Sequence, residues 1–339
     1  MEKIDWDNLG FNVVETHSMY KASCRIGEEW KLGGLIPYGT IELSPAAGVL
    51  NYGQGCFEGT KAYRTVKDRV VLFRPEMNAK RMALSTKRLC IPEMNQEFFL
   101  NAVEETLKDN IDYVPPYGKG SLYIRPIVWG TSPALGVKPV EVYTFMVFVS
   151  PVGPYFKGDI QPLNLKVSNK YHRAAPKGIG NAKAIGNYSA SLLPLIEAKN
   201  SGFDEVIYLN AKDEKFVEEV GSANLFVLTG NTIKTPKLDG SILPGITRDS
   251  VITLAKDTIG LEVLETNVTL TELYDADEVF CTGTAVVVTP VGSITGLDGK
   301  HKIADGKMGQ LTSKLRQLLT GIQRGDVSDE FGWLCPIKE

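Results

Sequence analysis

Residues 181–191 read NAKAIGNYSAS and set a single lysine, Lys183, among Ala, Gly, Ser and Asn, with Tyr188 five residues later. Small neighbours leave room for a second molecule to reach the amine. A lysine becomes nucleophilic when it is desolvated or lies next to another cation, because both lower its pKa. The same pattern also fits an ordinary solvated lysine in a loop, so the local sequence leaves both interpretations open.

Two later segments contain groups that complement a reactive amine. In residues 238–257, LDGSILPGITRDSVITLAKD, a Pro-Gly turn precedes a helical pattern, which leaves the N–H groups near Ile246 and Thr247 without helical partners. Such a helix start binds phosphate through these donors and the helix dipole, although Thr247 also fits a plain N-cap. In residues 216–228, FVEEVGSANLFVL, either Glu218 or Glu219 faces a buried cation, or both acids are solvated.

These three groups together match one cofactor. Pyridoxal 5'-phosphate requires a lysine that forms a Schiff base with its aldehyde, a donor set for its phosphate and a carboxylate at its ring nitrogen. The carboxylate keeps that nitrogen protonated, which makes the ring an electron sink. The combination therefore predicts pyridoxal 5'-phosphate as the cofactor.

Composition excludes several other classes of protein. The chain has 37 Lys and Arg against 40 Asp and Glu, a net charge of −3 that favours neither nucleic acid nor an anionic membrane surface. The five cysteines form no C-x-x-C pair, and the three histidines lie far apart in sequence, so no metal site is predicted. The N-terminal residues contain no signal peptide or transit peptide pattern, and we expect a cytoplasmic protein without membrane spans.

The chain is long enough for two domains of an α/β (α+β) protein. Its 339 residues exceed what a single core usually accommodates. Strand-like segments such as KGSLYIRPIVWG alternate with EMNAKRMALSTKRL and EFFLNAVEETLKDNI, whose apolar residues follow the helical period. A further helix is predicted near residues 187–201, with Asn187 as its N-cap and Pro194 interrupting it, and both DG dipeptides are predicted to be turns between strands. We predict an N-terminal domain over residues 1–152, an interdomain loop over 153–162 and a β-rich domain over 163–339.

Seven motifs along the chain resemble the branched-chain aminotransferases, which are fold-type IV enzymes dependent on pyridoxal phosphate. The resemblance implies a small α/β N-terminal domain and a larger, β-rich pseudo-barrel C-terminal domain. It runs through nearly the whole chain, and the motifs, in order, are NYGQGCFEGTKAYR, LFRPEMNAKRM, YIRPIVWGTSPALGV, KYHRAAPKGIGNAKAIGNYSAS, EEVGSANLF, LPGIT and GTAVVVTPV.

The resemblance implies a role for each residue around the cofactor. Lys183 would be the Schiff-base and proton-transfer residue, Glu219 would pair with the pyridine nitrogen, and Tyr188 would hydrogen-bond the ring's O3′. Ser222 stands where the family often has threonine, which is a conservative change. The predicted cofactor-binding residues are Arg81, Arg173, Lys183, Tyr188, Glu219, Ser222, Ile246, Thr247 and Thr284.

The family also implies a pocket that takes two substrates in turn, a branched aliphatic amino acid (L-leucine, L-isoleucine or L-valine) and L-glutamate, with 2-oxoglutarate as the amino acceptor. Tyr123 and Arg125 would meet the distal carboxylate of glutamate, and Val137 would come from the other subunit of a homodimer. The predicted substrate-binding residues are Tyr52, Phe57, Lys61, Tyr123, Arg125, Val137, Tyr155, Thr284 and Ala285.

Three alternatives to this activity are compatible with the same motifs. A D-amino-acid aminotransferase and an aminodeoxychorismate lyase share the fold and use a similar lysine. A protein that binds pyridoxal phosphate without turnover would carry the chromophore and exchange no amine. The YIRP motif and the ALGV loop favour the branched-chain enzymes over the first two.

Overall fold

A computed structural model describes residues 4–153 and 160–337. Contacts within these residues define two compact units. The first comprises residues 4–153, 182–185 and 321–337, and the second comprises 160–181 and 186–320. The predicted domain boundaries follow the chain without interruption, so they do not separate the short segment around Lys183, which packs with the first unit.

Seventeen strands and eight α-helices are present in the two described ranges. The strands are β1 (Ser18–Arg25), β2 (Gly34–Pro37), β3 (Gly55–Phe57), β4 (Thr60–Arg64), β5 (Val70–Phe73), β6 (Ser121–Gly130), β7 (Val142–Val152), β8 (Leu163–Val167), β9 (Glu205–Leu209), β10 (Val217–Val220), β11 (Ala223–Thr229), β12 (Thr232–Pro236), β13 (Glu262–Thr266), β14 (Glu278–Gly283), β15 (Val287–Thr295), β16 (Lys300–Lys302) and β17 (Leu334–Pro336). The helices are α1 (Gly48–Tyr52), α2 (Pro75–Arg88), α3 (Gln96–Asp109), α4 (Ile185–Ser189), α5 (Leu192–Asn200), α6 (Ile246–Thr253), α7 (Leu270–Tyr274) and α8 (Gln310–Arg324).

The first unit is an antiparallel sheet covered by two helices. Its strand order is β17-β5-β4-β6-β7-β1-β2, and β3 pairs with β6. The apolar residues of α3 recur at three and four positions, so one face packs on β1 and β7, and Asn95 caps the helix by accepting the N–H of Phe98 at 2.7 Å. The resulting core includes Phe98, Phe145 and Leu122.

The second unit contains a closed barrel. Six strands pair in the cyclic order β8-β15-β14-β11-β10-β9 and back to β8, because β10 pairs with both β9 and β11. The inward residues of these strands form a separate apolar core that includes Leu165, Ile207 and Leu225. This β-rich barrel, with the α/β first unit, confirms the predicted fold class.

The helices predicted from the sequence agree with these elements in the first unit but not around residues 187–201. The helices expected in EMNAKRMALSTKRL and EFFLNAVEETLKDNI are α2 and α3. The single helix expected near 187–201 is instead α4 and α5. Asn187 lies inside α4 and donates its side-chain amide to the Ile179 carbonyl at 2.8 Å, so it is not an N-cap. Pro194 lies in the first turn of α5, where its missing N–H breaks no helical hydrogen bond.

One of the two DG dipeptides forms a turn between strands, and the other does not. Asp298 and Gly299 connect the antiparallel strands β15 and β16, as predicted. Asp239 and Gly240 lead from β12 into the loop before α6, so the prediction of a turn between strands is wrong there. The helices of the described ranges include none that is both long and apolar enough to cross a membrane.

Candidate active site

Lys183 is held beside strand β3 of the first unit. Its carbonyl accepts the N–H of Phe57 at 3.1 Å, its own N–H donates to Ser85 Oγ at 2.9 Å, and Ala184 forms an antiparallel bridge with Cys56. The Lys183 side chain is half-buried, and its Nζ lies 4.9 Å from the centroid of the Phe57 ring. The small residues of 181–191 therefore border an amine that rests on an aromatic ring.

The same ring carries a second cation. The guanidinium carbon of Arg125 lies 4.5 Å from the Phe57 centroid and 5.2 Å from that of Tyr123. Arg125 also donates to the Tyr123 hydroxyl at 3.1 Å, whereas its Nε is buried and has no hydrogen-bond partner. The structure thus brings four of the predicted residues, Phe57, Tyr123, Arg125 and Lys183, into one cluster.

Arg81 is bound by a buried acid that the sequence analysis did not select. Its Nε and Nη2 donate to the two Glu58 carboxylate oxygens at 2.7 and 2.8 Å, and Asn78 donates to the same carboxylate at 2.8 Å. Burial opposes the ionised form of Glu58, but Arg81 outweighs it with the help of Lys183 and Asn78, so the pKa of Glu58 lies below its usual value. An acid flanked by the buried strands β3 and β4 was the available signal for this residue.

The remaining predicted substrate residues of this unit lie in different surroundings. Lys61 is buried on β4, opposite Tyr123 of β6. The Tyr52 hydroxyl donates to the Leu135 carbonyl, in the loop that also carries Val137, and Val137 is 90% exposed. Tyr52 and Val137 therefore belong to one surface region. Tyr155 lies outside the described residues.

The second unit holds a buried ion pair next to the end of its barrel. Glu219 Oε1 accepts hydrogen bonds from Arg173 Nη2 at 3.1 Å and from the N–H of Leu243. Arg173 Nη2 also donates to the Ser241 carbonyl, and both side chains of the pair are almost completely buried. Arg173, predicted to bind phosphate, is thus a partner of Glu219, while its Nε is buried without a hydrogen-bond partner.

Three chain segments meet at one end of β11. Ser222 lies in the turn between β10 and β11, and its carbonyl is 3.9 Å from the position that a Cβ on Gly283 would occupy. The turn that follows Gly283 contains Thr284 and Ala285, both half-buried. Asn224 donates to the Leu243 carbonyl at 3.0 Å, which anchors the loop before α6 to the same region.

Helix α6 begins there without a side-chain cap. Gly245 occupies the N-cap position, so Ile246 and Thr247 are the first helical residues, and Thr247 is not the N-cap. A Cβ at Gly245 would lie 2.0 Å from Asn224 Oδ1, so close packing requires glycine at this position. The open N–H groups of the first turn are suited to an anion.

The residues of the second unit fit pyridoxal 5'-phosphate. Thr282 Oγ1 and Arg173 Nε are buried donors without hydrogen-bond partners, and Thr282 lies opposite Asn224 in the sheet. These donors and the uncapped start of α6 are groups of the kind that bind a phosphate, and Glu219 is a buried carboxylate of the kind that pairs with a ring nitrogen. Tyr188, on α4, is half-buried. The described residues contain no cluster of His, Cys, Asp and Glu that could hold a metal ion.

Comparison with known families identifies the chemistry that this donor set serves. The sequence model described as Amino-transferase class IV matches residues 55–294, which is most of the chain. The chain belongs to the class IV aminotransferases. This aminotransferase is 50% identical over 335 residues to "Branched-chain amino acid aminotransferase 2, chloroplastic" of Humulus lupulus, a match that covers 99% of this chain and 82% of that protein.

A second relative and a solved structure agree with this assignment. "Branched-chain-amino-acid aminotransferase 1, mitochondrial" of Arabidopsis thaliana is 48% identical over 337 residues, covering 98% of this chain and 86% of the relative. The branched-chain amino acid aminotransferase from Thermobaculum terrenum, solved in its PLP-form (holo-form), superimposes with a TM-score of 0.80 at 26% identity, covering 96% of this chain and 99% of the other. The resemblance to branched-chain aminotransferases and the cofactor, pyridoxal 5'-phosphate, are confirmed.

The expected cytoplasmic location is wrong. Relatives that match this aminotransferase over nearly its whole length are named as chloroplastic or mitochondrial proteins. The prediction relied on the absence of a transit pattern in the N-terminal residues. Transit peptides take no part in the mature fold, so the sequence pattern of a folded domain does not report its compartment.

Proposed function

We propose that this aminotransferase transfers the amino group between L-leucine, L-isoleucine or L-valine and 2-oxoglutarate. The observation that carries the proposal is the pairing of two cations on one ring. Lys183 Nζ and the Arg125 guanidinium lie within 4.9 and 4.5 Å of the Phe57 centroid. A reactive amine, an apolar surface and an anion-binding group are thereby available in one cluster, as a branched-chain amino acid and a dicarboxylate require.

The chain's own residues would hold the cofactor in place. Lys183 Nζ would hold it covalently, Glu219 and Tyr188 would bind its ring, and its phosphate would be bound by Thr284, Ser222, Arg173, Arg81 and the first N–H groups of α6 at Ile246 and Thr247. When bound, pyridoxal 5'-phosphate supplies an electron sink for the pair of electrons left when the substrate Cα loses its proton. Lys183 Nζ, once free, takes that proton as the general base.

The substrate side chain would be recognised by surfaces of opposite character. Phe57 and the stem of Lys61 would provide apolar contact for a branched side chain. Arg125 binds the distal carboxylate of 2-oxoglutarate, because its buried Nε has no protein hydrogen-bond partner and a carboxylate accepts from such a donor. Main-chain N–H groups at Thr284 and Ala285 take the α-carboxylate.

We also propose that the protein is a homodimer, with larger assemblies left open. Leu135 and Val137 are 92% and 90% exposed apolar side chains in one loop, and Tyr52 binds this loop through its hydroxyl. The resemblance groups Tyr52 with Phe57 and Lys61 in the pocket of its own subunit, but its contact with this loop leads us to propose that Tyr52 accompanies Val137 into the partner's pocket. In this proposal the chain has a small domain over 1–152, an interdomain segment over 153–162 and a cofactor-binding domain over 163–339, although residues 182–185 and 321–337 belong to the first compact unit.

The first test measures amine transfer directly. Purified protein loaded with pyridoxal 5'-phosphate should convert 2-oxoglutarate to L-glutamate in the presence of L-leucine, L-isoleucine or L-valine, and should be inactive with D-alanine. Lys183→Ala should lose at least about a hundredfold in kcat, as expected for removal of a general base. Lys199→Ala, an exposed lysine on α5, is the control. Activity with D-alanine and none with L-leucine would overturn the assignment.

A second test separates the two substrates. Arg125→Met should raise KM for 2-oxoglutarate about tenfold or more while it leaves KM for L-leucine almost unchanged, because only the former has a distal carboxylate. Arg64→Met, which removes a half-buried arginine paired with the exposed Asp68, is the matched control in the same unit. An equal rise in both KM values would contradict the role of Arg125.

A further inference from the structure

A single hydroxyl lies between two carboxyl groups beside the Arg173–Glu219 ion pair. Ser241 Oγ is 2.6 Å from Glu218 Oε1 and 2.8 Å from Asp239 Oδ1. The same Asp239 oxygen also accepts the main-chain N–H of Ser241 at 3.2 Å, which marks it as an acceptor. Both contacts of the hydroxyl are within hydrogen-bond distance.

The hydroxyl has only one proton to give. A serine can donate once and accept twice, so two ionised carboxylates cannot both accept from it. If Ser241 Oγ donates to Asp239, then its contact with Glu218 is a hydrogen bond only when the Glu218 carboxyl itself carries a proton and donates it. Otherwise two oxygen lone pairs would face each other at 2.6 Å.

Glu218 is the acid whose environment favours the protonated form. Its side chain is 3% exposed and its Oε2 is buried with no hydrogen-bond partner, whereas Asp239 is exposed. Burial raises the pKa of Glu218, and it outweighs both a hydrogen bond donated by Ser241 and the charge of Arg173, each of which would lower that pKa. The titratable and charged groups that face Glu218 are Arg173, His172 and Asp239, with Glu219 next to it in β10 and Glu214 paired with His172 at 3.2 Å.

We propose that Glu218 is a neutral carboxylic acid that donates a hydrogen bond to Ser241 Oγ and thereby positions Arg173 against Glu219. The link runs through one residue, because the Ser241 carbonyl accepts a hydrogen bond from the same Arg173 Nη2 that binds Glu219. The hydroxyl and the carbonyl belong to one completely buried residue, so a contact that fixes the Ser241 hydroxyl also helps to fix that carbonyl. Glu218 is a positioning residue, and its part in the reaction rests on the proposed function.

The protonation state of Glu218 decides how many buried carboxylates share the Arg173 guanidinium. An ionised Glu218 would place two neighbouring buried carboxylates near one guanidinium, and Arg173 would be shared between them. A protonated Glu218 leaves Arg173 to Glu219, the carboxylate that we propose for the cofactor's ring nitrogen. The contact chain Glu218–Ser241–Asp239 also ends at an exposed carboxylate, which gives the buried acid a route for proton exchange with solvent.

Infrared spectroscopy of the cofactor-loaded enzyme tests the protonation state without reference to activity. At neutral pH, the difference spectrum obtained by subtracting Glu218→Gln from wild type should contain the C=O stretch of a protonated carboxyl group. This band should shift in D2O. Glu197→Gln is the matched control, since the pKa of Glu197 lies below its usual value through the hydrogen bonds from Lys170 and Tyr171, and its difference spectrum should lack that band. Absence of the band from the Glu218→Gln difference would overturn the proposal.

Ser241→Ala tests the hydrogen bond itself and does not require Glu218→Gln to fold. Removal of Oγ takes away the acceptor, so the Glu218 band should persist and move to higher frequency. A band that stays in place would refute the link to Ser241. In the wild type, the band should disappear reversibly as pH rises, because a buried acid with a raised pKa ionises only above the usual range for glutamate.

The pH dependence of stability gives an independent measurement. Between the unfolded pKa of glutamate and the raised folded pKa of Glu218, the native state binds more protons than the unfolded state, so stability falls as pH rises. The Glu218→Gln variant should lack this fall in stability with rising pH, whereas the Glu197→Gln variant should retain it. An identical slope in wild type and Glu218→Gln would contradict a protonated Glu218.

The affinity for pyridoxal 5'-phosphate connects the acid to the proposed function. Glu218→Ala should weaken cofactor binding about tenfold, as loss of a buried hydrogen bond would. If the infrared band is present and the wild type transfers no amino group, the proposed function fails and the neutral acid stands. If amine transfer is normal and the band is absent, the neutral acid fails and the function stands.

Discussion

Substitution of Glu58 by Gln tests whether the buried ion pair with Arg81 stabilises the first unit. The Glu58 carboxylate is fully buried, and it accepts hydrogen bonds from two Arg81 nitrogens and from Asn78 at 2.7–2.8 Å. Gln keeps the shape but replaces one acceptor oxygen with a donor and leaves the guanidinium uncompensated. Breaking a buried pair in this way costs about 3–5 kcal/mol, a large part of the ~5–15 kcal/mol that stabilises a typical domain.

The tryptophans allow the effect to be measured in the correct unit. All four belong to the first unit, so urea unfolding followed by their fluorescence reports on the part of the chain that contains the pair; they are Trp6, Trp30, Trp129 and Trp333. The midpoint should fall strongly for Glu58→Gln, with little change in the slope of the transition.

A surface pair in the same unit supplies the control. Glu104 and Lys108 of α3 form an i,i+4 pair at 3.0 Å in which both side chains are more than two-fifths exposed. Glu104→Gln should change the unfolding free energy by less than about 0.5 kcal/mol. If Glu58→Gln costs no more than this control, burial does not strengthen the effect and the reasoning is refuted.

The acid dependence of this pair has a definite sign. The folded pKa of Glu58 lies below the unfolded value, so its contribution is present above the unfolded pKa and is lost as pH falls through the folded pKa. The difference in unfolding free energy between wild type and Glu58→Gln should therefore disappear only in acid. A difference that grows as pH falls would contradict the assignment of an ionised Glu58.

Three further predictions concern the second unit. Glu278→Gln should lower its stability by about 1–2 kcal/mol in thermal unfolding, because the carboxylate accepts two N–H groups at the start of α8. The hydrogen bond from Lys234 holds the pKa of Glu272 at about 2. The free energy of unfolding should therefore decline as pH falls from the unfolded pKa near 4.5 towards 2, and it should decline less for Glu272→Gln. Equal acid profiles of the two proteins would contradict this. Gly245→Ala should cost about 1–3 kcal/mol and weaken cofactor retention in dialysis, because its Cβ would lie 2.0 Å from Asn224 Oδ1.

Much of the architecture could be predicted from local sequence. The three- and four-residue spacing of apolar side chains in α2 and α3 depends on residues within one or two turns, and β6 follows from the β-branched and aromatic residues of KGSLYIRPIVWG. The order of seven motifs indicated the family, the cofactor and Lys183. Those features are encoded in neighbouring residues or in their succession, and they needed no knowledge of distant contacts.

Other features depended on contacts between distant parts of the chain. The barrel closes because β10 pairs with both β9 and β11, and no local pattern distinguishes a strand that closes a ring from one at an edge. The return of Lys183 to the first unit depends on its bonds with Phe57 and Ser85, at sequence separations too large for periodicity to register. Asp239 and Gly240 were assigned to the wrong kind of turn for the same reason.

The two adjacent acids Glu218 and Glu219 show most clearly what local sequence leaves undetermined. The sequence left open whether Glu218 or Glu219 faces a cation or both are solvated, and both are buried. Glu219 binds Arg173, 46 residues earlier, and Glu218 contacts Ser241, 23 residues later. Residue type determined that these positions could carry charge. Only the tertiary structure decided which charge is compensated, because the cost of a buried carboxylate depends on partners that folding brings to it.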